Sequence, residues 1–459
     1  MKKFGKIFSL ILAVALLCTG LIMVASAEEP TFDLPAALAS AESGATVTLT
    51  GNATLTEAYN VEKDVTIDLN GYTLTSTGAD TFIIEGAYNV KIIGDGTVNL
   101  AGRLVKNSTA GVAYTFTMEG DTEIAVNHTA AAAPNIVYAA GGTHTFNKVN
   151  IVSTRAGNVG KEFDAFFRGT LSADSSSGNG TAQNLKFYFN ASSFTCEASP
   201  SGQNYLTFMM LTGSGSYAEM NNTTVRNGGT LLHVGYTTET KMGTTLVNAT
   251  NTHLQIVSTD NRARSCLVWG HKSAGNGGDI VYGSIKLKDS YIGGNVYRAV
   301  HAGDAASGKL QVVLDHSVIA NNGANESTNA NTRDTIMTRG ADIWLKNNSS
   351  LISNGNLAMS GGKIYAIVGA RFNNKAMGEH SHITWYDEFG DPATGVKIVF
   401  DPAADLLRPY VSTTDSTKTD YLPEGARNMN FFTTEYIAGE NSQSAYGVHV
   451  DKVGSFVMD

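Results

Sequence analysis

Hydrophobic and polar residues alternate in short runs along most of this chain. In DVTIDLNGYTLTSTG, Asp64 to Gly78, two alternating runs, VTIDL and YTLTS, flank Asn70-Gly71. Taken alone this predicts a β-hairpin, because a two-residue turn with positive φ at both centres favours Asn-Gly. The stretch has many relatives, however. VKIIGDGTVNL (90–100), YTFTMEGDTEIAV (114–126), LKFYFNASSFTCE (185–197), YAEMNNTTVRNGG (217–229) and TTLVNATNTHLQIV (244–257) share its plan. SIKLKDSYIGGN (284–295), LQVVLDHSVIANN (310–322) and DIWLKNNSSLISNG (342–355) follow, and VKIVFDPAADL (396–406) is a degenerate copy. Each puts an alternating run before Asn, Asp or Gly, then small polar residues, then another apolar residue.

A second string recurs between these copies: a short apolar run closed by Gly. It includes FIIEG (82–86), IVYAAG (136–141), AFFRG (165–169), FMMLTG (208–213), LLHVG (231–235), CLVWG (266–270), VHAG (300–303), IMTRG (336–340) and AIVG (366–369). From Gly141 onward the closing glycines lie 28, 44, 22, 35, 33, 37 and 29 residues apart. This loose period fits a solenoid whose coils keep their strands and vary their loops. A sandwich of hairpins is the rival, but it predicts consecutive runs of one kind separated by regular turns. In a solenoid each strand pairs with the coils above and below, and the bends need residues tolerant of left-handed φ, hence Asn and Gly. Asn stacked on Asn from coil to coil then forms amide ladders. The fold expected is all-β, a parallel β-helix of about ten to twelve coils.

Leu34 to Ala41 reads as a short amphipathic helix placed before the first strands, where it would cover the open end of the stack. This helix, then GATVTLTGNATLTEA, VEKDVTIDLNGYTLTS and NVKIIGDGTVNL, resembles secreted right-handed parallel β-helix proteins of the pectate-lyase-like superfamily, bacterial cell-surface members above all. The resemblance is strong over residues 31–105 and rests on repeat pattern alone to about 375. It implies a right-handed coil. Because that superfamily holds polysaccharide lyases, glycoside hydrolases, esterases and non-catalytic adhesins, it leaves the activity open.

Lys2, Lys3 and Lys6 precede an uncharged run from Ile7 to Val24, and Ala25-Ser26-Ala27 offers a cleavage site before Glu28. This reads as a secretory signal; an uncleaved anchor is the alternative. Cys18 follows Leu17, which does not suit lipid attachment. The expected division is therefore 1–27 signal peptide, 28–45 N-terminal cap, 46–375 β-helix, and 376–459 a C-terminal cap or the start of a further module. Removing the signal leaves 29 basic and 41 acidic residues, a net charge of −12, from the −9 of the whole chain. Such a balance argues against nucleic-acid binding. No second long apolar run predicts membrane insertion. A monomeric protein, secreted or held at the cell surface, is the expectation.

In a solenoid, residues at like positions form ladders, so a site gathers residues distant in sequence. Asp-Asp, Gly-His-Gly and Arg-Ile-Lys strings, the marks of pectin hydrolases, do not occur. GDGT (94–97) and GDPATG (390–395) carry one acid each, which suits a turn better than Ca²⁺; no cofactor is expected, and Ca²⁺ has no motif behind it. Asp304, Asp315 and Asp334 are candidates for a glycosidase carboxylate pair, with turn or strand-end acids as the plainer reading. Arg168, His233, His271, His301, Arg339 and Arg371 all fall within two residues of a closing Gly, with Arg298 and Arg333 close by and Trp269 and Tyr297 adjacent. On one edge of a solenoid they would form a strip for an acidic glycan, Arg forks holding carboxylates or sulfates. Their register is uneven: Arg168 and Arg339 stand one before the Gly, His233 and His301 two before, which in a regular strand sends them to opposite faces. Scattered strand-end polar residues are the alternative.

The function expected is a non-catalytic polysaccharide-binding or adhesion module, with glycan as the partner. A lyase or glycosidase acting on uronate chains is the runner-up, using Arg298, His301, Arg333, Arg339 and Asp334, and a passive stalk is the third reading. The sequons at Asn127-His128-Thr129 and Asn221-Asn222-Thr223 read as turn residues. Cys196 and Cys266 fall two coils apart, about 10 Å of stacking, beyond the roughly 7 Å between Cα atoms that a disulfide spans. Alkylation of the unfolded, unreduced mature chain is therefore expected to add two labels by intact mass; no labels would mean a bridge and a different coil count.

Overall fold

In the computed structural model the described residues run from Pro30 to Val257, apart from 130, 155–164, 171–181, 197–205, 212 and 235–244. Beyond them lie 266–270, 283–294, 298–302, 310–321 and strand segments from 334 to 458. At 266–270, at 298–302 and from 334 onward the backbone path alone is described.

The chain cycles through three strands at a time, and each pairs in parallel with the strand three earlier and three later. Val65–Asp68 pairs with Thr46–Thr48 on one side and Asn89–Ile93 on the other. Thr73–Ser76 pairs with Asn52–Leu55 and Gly96–Leu100, and Asp80–Ile83 with Tyr59–Asn60 and Arg103–Asn107. First and second strands form one 25-stranded sheet, because Thr115–His128 and Thr143–Ser153 run unbroken through the corner between the two positions. Third strands form a 14-stranded sheet. Long parallel sheets with one helix among the described residues make an all-β architecture compatible with a β-helix solenoid. The pairing continues past residue 375 through Ser381–Thr384, Lys397–Phe400, Val448–Asp451 and Ser455–Met458. The antiparallel pair of Gln443–Ala445 with Val448–Asp451 lies at that end.

The hairpin signal at Asn70-Gly71 is locally real and globally misleading. Asn70 and Gly71 have φ of 47° and 84°, and the Tyr72 N–H donates to the Leu69 carbonyl at 2.8 Å, closing a tight turn. The flanking strands nevertheless pair with other coils and not with each other. Later copies keep the left-handed residue: Lys148, Ala191, Asn222, Asn251, Asp289 and His316 have φ between 47° and 52°. Each N–H at Ala191, Asn222, Asn251 and Asp289 donates to the next coil's carbonyl just before its own corner, at 2.9–3.0 Å.

The residue after each corner turns inward. Ser192, Thr223, Thr252, Ser290 and Ser317 are buried, and each hydroxyl lies within hydrogen-bond reach of the carbonyl two residues earlier. Those of Ser192, Thr223, Thr252 and Ser290 also reach a carbonyl of the preceding coil, at Phe146, Phe189, Met220 and Ala249. The N–H groups of Val149, Thr252 and Ser290 donate to the hydroxyl one coil on. The expected amide ladders are present as well: Asn221 donates to Asn190 and Asn190 to Asn147, at 3.0 and 2.7 Å.

Inward alternate residues of the first and second strands meet the third strands in one apolar core. Its middle is aromatic: Phe82, Phe116, Phe146 and Phe189 follow one another at 6.1, 6.3 and 5.0 Å, and Phe167 touches Phe146, Phe187, Phe189, Phe194 and Phe208. Third strands Ala165–Gly169, Thr207–Leu211 and Leu232–Val234 are buried at every position, which explains their continuous apolar runs. At the N-terminal end, Thr31–Phe32 pairs with Asn52 and Ala53, and the helix Leu34–Ser40 buries Leu34 and Leu38 in the same core. The Asp33 side chain caps its start, and the Lys63 ammonium binds the carbonyls of Ala39 and Ala41 at its end. Cys196 is buried at the end of a second strand, whereas Cys266 begins a third strand.

One titratable pair is sealed in this core. The Tyr114 hydroxyl lies 2.8 Å from His144 Nε2, and His144 Nδ1 lies 3.3 Å from the Lys186 carbonyl. Nδ1 therefore donates and Nε2 accepts. Gly142, φ 84°, leaves the room for this: a Cβ there would meet the Tyr114 ring at 2.4 Å. Burial holds the His144 pKa at about 3, against 6.5 for a free imidazole. Between those values the unfolded chain binds a proton that the folded chain refuses, so the His144 contribution is intact above pH 6.5 and is lost as pH falls toward 3. Urea midpoints between pH 7 and 4 are expected to fall less steeply for the double variant Tyr114→Phe/His144→Phe than for the wild type; equal slopes would remove His144 as a cause.

Candidate functional site

The corners that build the stack also shape an open groove on its surface. The register of the second strands sets Thr224, His253, Tyr291 and Val318 in one outward file. Beside it run the corner residues Asn222, Asn251, Asp289 and His316. Together with Thr252 and Ser290 they line an open groove of about 610 Å³, a volume common for small-ligand sites. Asn251 donates to the Asn222 side-chain oxygen at 2.7 Å, and His316 Nδ1 lies 2.8 Å from the Asp289 carboxylate. The His253 and Tyr291 rings stack at 4.5 Å and 12°, close to the roughly 4.8 Å between adjacent strands. Held this way, ring planes follow the strands, and the groove receives polar edges and not faces.

The groove thus offers amides, hydroxyls and imidazoles, with one carboxylate tied to an imidazole. Partial burial lowers the His253 pKa; a hydrogen bond donated by the ring to the Gln255 side chain works against this, and the charge of Arg226 adds to it. The ring is therefore neutral at pH 7 and presents one donor and one acceptor. None of these residues belongs to the strip read from the sequence. The signal that finds them is the tripeptide at each corner: Asn222-Thr223-Thr224, Asn251-Thr252-His253, Asp289-Ser290-Tyr291 and His316-Ser317-Val318. Aligned on the buried hydroxyl, the third member is always the outward one.

The strip itself is resolved by the third sheet. Tyr138, Arg168, Met210, His233, Trp269, His301 and Met337 pair successively and form one continuous file. The closing glycines are out of register while these residues are in register, so the parity argument built on the glycines does not hold. Arg339 stands two places beyond Met337 and pairs with Ser360; Arg298 pairs with Cys266, and Asp334 with Asn356. Arg371 begins the second strand Arg371–Asn373 and pairs with Ser350 in the other sheet, and so stands apart from the file. Asp315 ends a first strand and pairs with Lys288 and Lys346. His271, Tyr297, Asp304 and Arg333 lie outside the described residues.

Within that file exposure varies sharply. Arg168 is 8% exposed and His233 and Met210 are 0% exposed, so in these coils the file is covered. Earlier in the file Lys106, which pairs with Tyr138, and Tyr138 itself are half-buried. Asp80 accepts from Arg103 at 2.5 Å and lies 3.5 Å from Lys106, and the guanidiniums of Arg103 and Arg168 sit 5.7 and 5.2 Å from the centre of the Tyr138 ring. Among the described residues no group of three His, Cys, Asp or Glu side chains is placed to hold a metal ion, and no helix is long and apolar enough to cross a membrane.

No family model, curated protein or solved structure matches this chain. What defines it is its architecture: mostly parallel strands in long stacked sheets.

The His253 ring provides a direct probe of the groove. Because burial is the main cause of its lowered pKa and Tyr291 covers one of its faces, Tyr291→Ala is expected to raise the His253 pKa toward 6.5 in an NMR titration. An unchanged value would mean that the stacked pair does not form.

Proposed function

We propose that this chain is a secreted, right-handed parallel β-helix of about ten to twelve coils, of the pectate-lyase-like superfamily, that binds polysaccharide along one face without cleaving it. Right-handed winding follows from the strong preference of parallel crossovers for that hand. The observation that carries the binding reading is the groove on the second strands. It is open, spans four consecutive coils, and is lined by groups that hydrogen-bond hydroxyls: Asn222, Thr224, Asn251, His253 and Tyr291. A rigid stack fixes these groups before a ligand arrives, which lowers the entropy cost of binding.

An enzyme on the same surface is the second reading, favoured by the hydrogen bond that orients His316 on Asp289. The same place in the preceding coils is filled by Asn222 and Asn251, hydrogen-bonded in the same way. The pair is thus one rung of a structural ladder, and binding is the stronger reading.

A glycan array run together with a scan for reducing ends and unsaturated sugar products tests both. Binding without products is expected, with the affinity reduced at least tenfold in His253→Ala and Asn251→Ala. Product formation that Asp289→Asn abolishes would replace the binding reading with the enzymatic one.

A further inference from the structure

The groove continues around the corner onto a second surface. Asn222 in the groove follows Asn221, which ends the first strand Tyr217–Asn221. In the register of the first strands Lys186 faces Tyr217, Tyr188 faces Glu219, and Asn190 faces Asn221. The Tyr188 and Tyr217 rings, both half-buried, meet at 5.9 Å with 60° between their planes. Two rings at that angle cannot both lie edge-on along the strands as His253 and Tyr291 do. At least one is turned by about 30° or more from that alignment, and both rings keep part of their surface accessible, as a sugar-stacking contact requires.

Glu219 beside them is held in place at both oxygens. Tyr217 donates its hydroxyl to Oε2 at 2.8 Å, and Asn221 donates its amide to Oε1 at 2.9 Å. Asn221 is fixed in turn by the ladder through Asn190 to Asn147. A carboxylate has about four acceptor positions, and these two bonds use part of that capacity. Glu219 is itself half-buried, and the two bonds fix the direction of its carboxylate.

We propose that Tyr188, Tyr217 and Glu219 form a second sugar subsite, contiguous with the groove, for a neutral, hydroxyl-rich glycan segment. This inference rests on the glycan-binding reading above and adds to it the place and the class of sugar. Neutral sugar is favoured over uronate because the fixed acceptor here is a carboxylate, Asp289 stands in the groove, and the whole chain carries a net charge of −9. Lys186 pairs with Tyr217 across the rung, and its single positive charge offsets only one of those charges.

Saturation-transfer NMR and calorimetry with a panel of neutral hexasaccharides (cello-, xylo- and manno-oligomers) and a matched panel of oligogalacturonates test it. The wild type is expected to bind a neutral oligomer more tightly than any uronate. Tyr188→Ala and Tyr217→Ala are expected to weaken that binding at least tenfold and Glu219→Gln about threefold to tenfold, with far-UV circular dichroism unchanged. His253→Ala, in the groove, is the internal comparison. Loss of binding in His253→Ala with none in the three platform variants would overturn the subsite and leave the glycan reading standing. Tighter binding of uronate would overturn the neutral class, and no binding to either panel would overturn both readings.

Discussion

At each corner between a first and a second strand the chain must bend within one residue while its peptide groups stay paired to the coils on both sides. A left-handed residue makes the bend, at a steric cost that Asn and Asp bear better than most side chains. The bend also leaves carbonyl and N–H groups facing the core, where each unpaired group would cost about 1–3 kcal/mol. Ser192, Thr223, Thr252, Ser290 and Ser317 meet that demand from inside, linking each coil to its neighbour. From Ser192 onward this inward hydroxyl recurs at each of these corners and ties neighbouring coils together, whereas Val149 fills the same place with an apolar side chain.

The same corner explains several features that look unrelated. The sequon at Asn221-Asn222-Thr223 is a ladder amide, a left-handed corner and a buried hydroxyl in succession. The Asp289–His316 bond occupies a structural rung before it is anything else. Since the residue after the hydroxyl must point outward, His253 and Tyr291 are brought to adjacent rungs at 4.5 Å. The groove is a by-product of the device that builds the fold, which is why its floor is regular and its walls are polar.

The core takes its character from the opposite demand. Third strands buried on both sides carry no alternation, and their large aromatic residues fill the space that three converging strands leave at the centre. Burial on both sides is also what places Arg168, Met210 and His233 on a covered file. A charged or imidazole side chain in an apolar run reads as a surface signal in sequence. Here it sits within the folded body.

By itself the sequence determined the kind of structure: alternating runs, the Asn, Asp and Gly bends, the uneven long period and the short capping helix are all local properties, fixed by side-chain sterics and burial within a few residues. The Asn70-Gly71 turn was legible for the same reason, but its strands' partners were not, because a turn fixes the direction of the chain and not which strand it meets. Only the tertiary structure decided the register between coils. Loop lengths vary from coil to coil, so the closing glycines drift while Arg168, His233, Trp269 and His301 stay aligned, and no count along the chain recovers that. The groove and the Tyr188–Tyr217 surface were hidden likewise, since each joins residues about 30 to 40 positions apart that only backbone pairing between neighbouring coils brings within a few ångströms.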